Sequence, residues 1–142
     1  MHDRSSPLQH DDYSALGTFR YELRKFLRFS KELLAKEANL TTEQYEALLA
    51  LKAFAPGTGM LVGQLSERLQ VRHHTTVALT KKLAGIGLIT KQRSESDRRQ
   101  VYVQLTPAGD KLIQQLALMH SHVLREQRSK LIVALNHLRK EN

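Results

Sequence analysis

Residues 65–106 read LSERLQVRHHTTVALTKKLAGIGLITKQRSESDRRQVYVQLT, and no other part of the chain constrains its architecture as tightly. Gln64-Leu65-Ser66-Glu67-Arg68-Leu69 predicts a short helix whose buried pair is Leu65 and Leu69. Gln70-Val71-Arg72 is the turn, and a longer helix runs from His73 to Ile86. Leu79 and Leu83 lie four apart there, with Thr76, Thr80 and Ile86 near the same side. His73, His74, Thr75, Ala78, Lys81 and Lys82 fall nearer the other side, with Val77 at the boundary. Gly87 suits a left-handed helix C-cap. Leu88–Arg93 and Gln100–Leu105 then form a hairpin around the polar tip Ser94–Arg99. Val101, Val103 and Leu105 alternate with Gln100, Tyr102 and Gln104, so one face is buried and the other wet. A short helix followed by a longer one with exposed polar and basic groups can place the second in a DNA major groove. A basic hairpin beside it can reach a neighbouring groove or the phosphates. The pattern is a winged helix-turn-helix.

Working outward, helix 1 is expected over Tyr13–Glu37, with a narrow apolar seam of Leu16, Phe19, Leu23, Phe26, Ser30 and Leu33. Thr41 and Gln44 form a capping box for helix 2, and Leu40 and Tyr45 a hydrophobic staple. Leu48, Leu49 and Leu51 continue the face of that helix. Pro56-Gly57-Thr58-Gly59 ends it, and Met60-Leu61-Val62 forms a short strand pairing with the hairpin. Thr106-Pro107 is a strong helix start. The helix it opens carries Leu112, Leu116, Met119 and Val123. A last helix with Leu131, Leu135 and Leu138 is set off by a bend near Arg125–Arg128. The expected class is mainly α with a small β-wing. The expected division is a flexible arm over 1–12, a helical dimerisation region over 13–39 and 107–142, and a DNA-binding region over 40–106.

Charge supports a nucleic-acid partner. The chain has 142 residues, enough for a real core, and a formal charge of +8. Residues 65–106 hold eight Lys/Arg against three Asp/Glu, so more than half of the net charge sits in under a third of the chain. Such a patch attracts phosphate, and on charge alone the alternative is a basic, soluble surface with no specific partner. There is no cysteine, which excludes disulfides, thiol sensing and Cys-based zinc sites. Residues 1–12 lack the apolar core of a signal peptide, and no apolar run approaches the ~20 residues of a membrane span. A soluble, cytoplasmic protein with no membrane partner is expected.

The element order and several motifs resemble the multiple-antibiotic-resistance regulator (MarR) family of bacterial transcription factors. The residues carrying the resemblance are Leu40–Tyr45, Leu65–Leu69 with Val71, Leu83, Gly87-Leu88-Ile89, Asp97-Arg98-Arg99 and Leu105-Thr106-Pro107-Ala108-Gly109. The resemblance implies a homodimer with interleaved terminal helices. It implies recognition helices in adjacent major grooves of a palindrome and wing arginines in the flanking minor grooves. It also implies a repressor released by a small aromatic or phenolic effector. Arg72 stands where family members often place a capping residue. Without cysteine the chain departs from the peroxide-sensing members, and without tryptophan from the urate-responsive ones.

Arg99 is the leading site candidate, because a tip arginine can enter a narrow minor groove where the negative potential is enhanced. Asp97 could hold its guanidinium or tie the turn. His73, His74 and Thr75 begin the recognition helix, where side chains meet base edges, and Ala78 lies on the same side. Lys81, Lys82, Lys91, Arg93 and Arg98 are phosphate candidates, while Arg68 could instead pair with Glu67 or Glu95. Tyr13, Phe19, Tyr21, Phe26, Phe29, Tyr45 and Phe54 cluster on the first two helices, where ordinary core is the plainer reading. By the resemblance, Tyr13, Arg20, Arg24 and Tyr45 are candidate effector contacts. His73 and His74 point about 100° apart on a helix and cannot share one ion well. His120 and His122 have the same difficulty, so no metal and no cofactor is expected. No Gly-rich phosphate loop or nucleophile elbow is present, which argues against an enzyme. The alternative to a DNA-binding regulator is a winged-helix adaptor for protein contact, and the basic wing argues against it.

Overall fold

The computed structural model describes residues 7–138. Its elements are α1 (His10–Ala38), α2 (Thr42–Phe54), β1 (Met60–Leu61), α3 (Val62–Leu69), α4 (His73–Gly85), β2 (Ile89–Arg93), β3 (Val101–Leu105) and α5 (Pro107–Asn136). The three strands form one antiparallel sheet in the order β1-β3-β2. Met60 pairs with Val103, and the hairpin register runs from Ile89 opposite Leu105 to Arg93 opposite Val101. The chain forms two compact units, one from Leu33 to Leu118 and one from the described residues up to Glu32 and from Met119 onward.

In the unit from Leu33 to Leu118 the caps explain the boundaries. Thr41 Oγ1 accepts from the Gln44 N–H at 3.1 Å, and Gln44 Oε1 accepts from the Thr41 N–H at 2.9 Å, closing the expected capping box of α2. Leu40 and Tyr45 are both buried in the core beside it. The turn between α3 and α4 closes on Gln70 at φ +55°. There the Gln70 N–H donates to Glu67 O and the Val71 N–H to Ser66 O, a Schellman pattern at a residue that is not glycine. The same pattern ends α4: Gly87, at φ +81°, donates to Ala84 O, and Leu88 donates to Leu83 O.

Both ends of the hairpin meet at this point. The Thr106 N–H donates to Leu88 O at 3.1 Å, and Thr106 Oγ1 donates to Gly87 O at 2.7 Å. Thr106 Oγ1 also accepts from the Gly109 N–H at 3.0 Å, which caps α5. Gly109 lies so close to the Leu88 carbonyl that a Cβ there would collide with it. The core packs around Leu34, Leu48, Leu51, Leu65, Leu83, Val103, Ile113 and Leu116, all essentially inaccessible. Each such side chain contributes about 1.5–3 kcal/mol of burial.

In the other unit, the α1 and α5 segments run antiparallel. Ser30 Oγ and His120 Nε2 share a buried hydrogen bond of 2.8 Å, and the Phe26 and Phe29 rings meet His120 edge-on at 6.0 Å. Further along, Gln127 Nε2 donates to Glu22 O at 2.6 Å and to Glu22 Oε2 at 2.7 Å.

Several expectations change. Helix α1 starts at His10 rather than Tyr13, because the Gln9 N–H donates to Asp12 Oδ2 and closes the first turn. Residues 1–6 of the expected arm, and 139–142, lie outside the described residues. The bend near Arg125–Arg128 is absent. That stretch is Arg-Glu-Gln-Arg, all good helix formers with no Pro or Gly, and α5 continues unbroken to Asn136. Leu49 is exposed rather than part of the α2 core face. Of the aromatic cluster only Tyr45 is buried, Phe19, Phe26 and Phe29 are half-buried, and Tyr13, Tyr21 and Phe54 are exposed. No helix among the described residues is long and apolar enough to cross a membrane.

Candidate nucleic-acid interface

Helix α4 is amphipathic in an unusual way, because its buried face is half threonine. Thr76, Leu79, Thr80 and Leu83 are the buried residues. The two hydroxyls stay satisfied inside by donating to their own helix, Thr76 Oγ1 to Arg72 O at 3.2 Å and Thr80 Oγ1 to Val77 O at 3.0 Å. At about 100° per residue, the face opposite this buried stripe carries His74, Ala78 and Lys81. Thr75 and Lys82 lie on one flank and His73 and Val77 on the other, and all seven are exposed. The N-terminus of α4 has no side-chain cap, since Arg72 makes no capping bond. Its first N–H groups therefore receive no bond from the Arg72 side chain, and the helix end keeps its partial positive charge.

The wing is held by its own tip. The Ser94 N–H donates to Gln100 O at 2.9 Å, and the Gln100 N–H donates to Asp97 O at 3.0 Å. Asp97 Oδ1 accepts from the Arg99 N–H at 3.0 Å and from Arg99 Nε at 3.2 Å, while Oδ2 accepts from Nη2 at 3.4 Å. The Arg99 backbone N–H first, and its guanidinium second, hold the Asp97 carboxyl below the usual range. Asp97 thus both ties the turn and holds the guanidinium. The Arg99 side chain is still 91% exposed, so its outer edge is free for another acceptor. Arg93 donates through Nη1 to Arg98 O at 2.7 Å, bracing the base of the tip. Arg93 and Arg98 are both exposed.

Between α4 and the wing lies a cavity of about 450 Å³. His73 and Val77 line it from α4, Lys91 and Val101 from the hairpin strands, Arg99 from the tip, and Val62 from the start of α3. The structure therefore brings His73, Lys91 and Arg99 around one cleft, and His74, Ala78 and Lys81 onto one convex face. Sequence reasoning undervalued Val77, which is 42% exposed. The signal for it was present, because a helix that buries Thr76 and Thr80 turns the residue next to Thr76 outward. Arg68 pairs with neither Glu67 nor Glu95. Its guanidinium stacks 3.6 Å from the ring centre of Phe54, a cation–π contact that sequence spacing does not reveal.

The effector candidates are placed less suggestively. Tyr13, Arg20 and Arg24 are exposed on α1. Tyr45 is buried in the core of the other unit, and that burial pushes its hydroxyl pKa up.

Comparison with known proteins agrees with this geometry. Residues 38–100 match the model of the MarR family. Over 86 residues, or 61% of this chain, the sequence is 37% identical to the organic hydroperoxide resistance transcriptional regulator of Bacillus subtilis (strain 168). That alignment spans 56% of the relative, so the chain covers little more than half of its length. Among solved structures, the MarR family transcriptional regulator AbsC from Streptomyces coelicolor superposes with a TM-score of 0.74 at 21% identity, covering 87% of this chain and 82% of that one. The S. aureus MepR F27L mutant bound to an oligodeoxyribonucleotide superposes with a TM-score of 0.64 at 24% identity, covering 82% of each chain. The matched segment contains the helix-turn-helix and the wing as far as Gln100, and the fold is that of the solved MarR-family structures, which the chain resembles.

Proposed function

We propose that the chain binds duplex DNA sequence-specifically, as a homodimer on palindromic operators, and acts as a repressor released by a small aromatic or phenolic ligand. The observation that carries the proposal is the outward face of α4, where His74, Ala78 and Lys81 stand clear of all packing beside a basic wing. Side chains at this end of a recognition helix meet base edges, and a tip arginine meets the minor groove. In this reading residues 40–106 contact DNA, with His73, His74, Thr75, Ala78, Lys81, Lys82, Arg93, Arg98 and Arg99 at the surface and Asp97 orienting Arg99. Residues 13–39 and 107–142 supply the dimer, and a partner of this kind places the protein in the cytoplasm. Support for the dimer comes from the apolar side chains that α1 and α5 leave exposed, Leu16, Leu23 and Leu27 with Ile132, Val133 and Leu135. Monomeric proteins rarely leave so many together.

An effector would act by biasing the separation of the two recognition helices, which must be about 34 Å for half-sites one turn apart. Tyr13, Arg20, Arg24 and Tyr45 remain the candidate contacts. The relative's name points to organic hydroperoxides, yet this chain has no cysteine, so no thiol of its own could sense them. Selection of bound duplexes from random DNA tests the proposal. The expected result is enrichment of an inverted repeat with half-site centres about 10–10.5 base pairs apart, or a multiple of that. Recovery of the input pool unchanged, even at low salt, contradicts it and leaves the adaptor reading.

A further inference from the structure

We infer that Val77 is a specificity-determining residue that reads the C5-methyl group of a thymine in each half-site. The assignment rests on the DNA-binding reading above and adds which base one side chain selects.

The exposed surface of α4 is otherwise polar or small: His73, His74, Thr75, Lys81 and Lys82, with Ala78. Val77 is its one branched apolar side chain besides Ile86, which follows the last turn and is also exposed. Val77 lines the cleft together with Val62 and Val101, yet it stays 42% exposed. The helix buries its stripe through Thr76, Leu79, Thr80 and Leu83, and Val77 lies more than 90° from the middle of that stripe at about 100° per residue. A β-branched residue also has lower helix propensity than alanine, so it gains the helix nothing at an exposed site. What it offers is an apolar surface beside the base-reading face.

Base chemistry then selects the occupant. In the major groove guanine presents two acceptors, cytosine an amino donor, and adenine one of each. Only thymine presents an apolar group. Pressing valine onto any of the polar groups would strip it of water without replacing the hydrogen bond, which disfavours those bases. Position agrees with this. The C5 edge of a pyrimidine is the edge nearest its own strand, and Val77 sits on the wing-side flank of α4. There it lines the cleft that Lys91 and Arg99 border from the other side. A strand passing over that cleft would bring a phosphate to Lys91 and its thymine methyl to Val77, with Arg99 left for the adjoining minor groove.

The test is a two-by-two cycle of protein and DNA. A duplex enriched by the wild-type protein is remade with uracil in place of each thymine in turn in one half-site, which removes only the methyl. Wild-type protein is expected to lose about fourfold in affinity at one thymine, the effect of re-exposing one buried methyl group. Val77→Ala is expected to bind the thymine duplex correspondingly more weakly and to show no further loss with uracil at that position. Its melting temperature should match or exceed the parent's, because the site is exposed and alanine is the better helix former. An enriched duplex that tolerates uracil everywhere overturns this inference alone. A uracil penalty that stays at full size in Val77→Ala also overturns it, since another side chain then reads the methyl. Failure to enrich any duplex overturns the DNA-binding reading and this one with it.

Discussion

Arg99 carries two loads at once, and its substitution separates them. Its backbone N–H and guanidinium bond Asp97, yet most of the side chain faces solvent. Arg99→Ala leaves the backbone bond and the hydrophobic core intact, so melting should change little. Specific DNA binding is expected to weaken by about 1–3 kcal/mol, the range for a good polar contact to a base. Titration of the enriched duplex with parent and variant checks this, and equal affinities would make the tip a solvated turn. Gly109 shows the opposite case, a residue whose role is entirely internal. A methyl group there would strike the Leu88 carbonyl, so Gly109→Ala is expected to cost about 1–3 kcal/mol of stability, readable by urea denaturation. Both positions were legible in the sequence, Arg99 at the hairpin tip through Asp-x-Arg and Gly109 at the start of α5 through Leu-Thr-x-x-Gly. Arg68 was not, because the Phe54 ring it stacks on is fourteen residues away in a different helix and spacing says nothing about such a meeting.

At the scale of elements, the sequence was most readable where a chain end must satisfy its own backbone. Thr41 with Gln44, Gly87, and Thr106 with Pro107 all sit where their chemistry requires. Two motifs that looked separate, Gly-Leu-Ile at the hairpin entry and Leu-Thr-x-x-Gly at its exit, are the two sides of one hydrogen-bonded junction. The expected bend in α5 failed because apolar spacing alone cannot show a break; a break needs a helix-disrupting residue, and none is present there. The start of α5 is further tied to α2 by Lys52 Nζ, which lies 2.7 Å from Asp110 Oδ1. That bond, with a smaller part from Gln114, holds the Asp110 carboxyl below its ordinary value. A lowered folded-state pKa means that its support is fully present above the unfolded value of about 3.9 and is lost as pH falls through the folded value. Asp110→Asn is therefore expected to lower the melting temperature at pH 7, by a difference that shrinks progressively as pH falls below about 4. A melting difference that is constant from pH 7 to pH 3 would mean that the ion pair contributes nothing.

At the scale of the whole molecule, the chain's exposed apolar side chains and its basic face call for two different partners. The apolar side chains of α1 and α5 predict self-association: the 16.2 kDa chain should sediment at about twice its mass. Leu27→Glu together with Val133→Glu should shift it to monomer. A parent chain that sediments as a monomer at micromolar concentration contradicts the dimer. The sequence signalled these exposed side chains only as a seam longer than one small domain needs. Leu16 and Leu23 prove to lie outside, which periodicity could not tell from burial within the chain. The basic face should meet DNA backbone and bases together, through the α4 surface and the wing. Affinity for the enriched and for a scrambled duplex, measured across a salt series with parent protein and Lys81→Ala, decides whether it does. Binding to the enriched duplex should be tighter, with a log–log salt slope that falls by about 0.9 for each phosphate neutralised. Lys81→Ala should weaken binding to both duplexes alike and reduce the slope by about one unit. Binding that ignores salt, or that does not distinguish the two duplexes at any salt concentration, would contradict it.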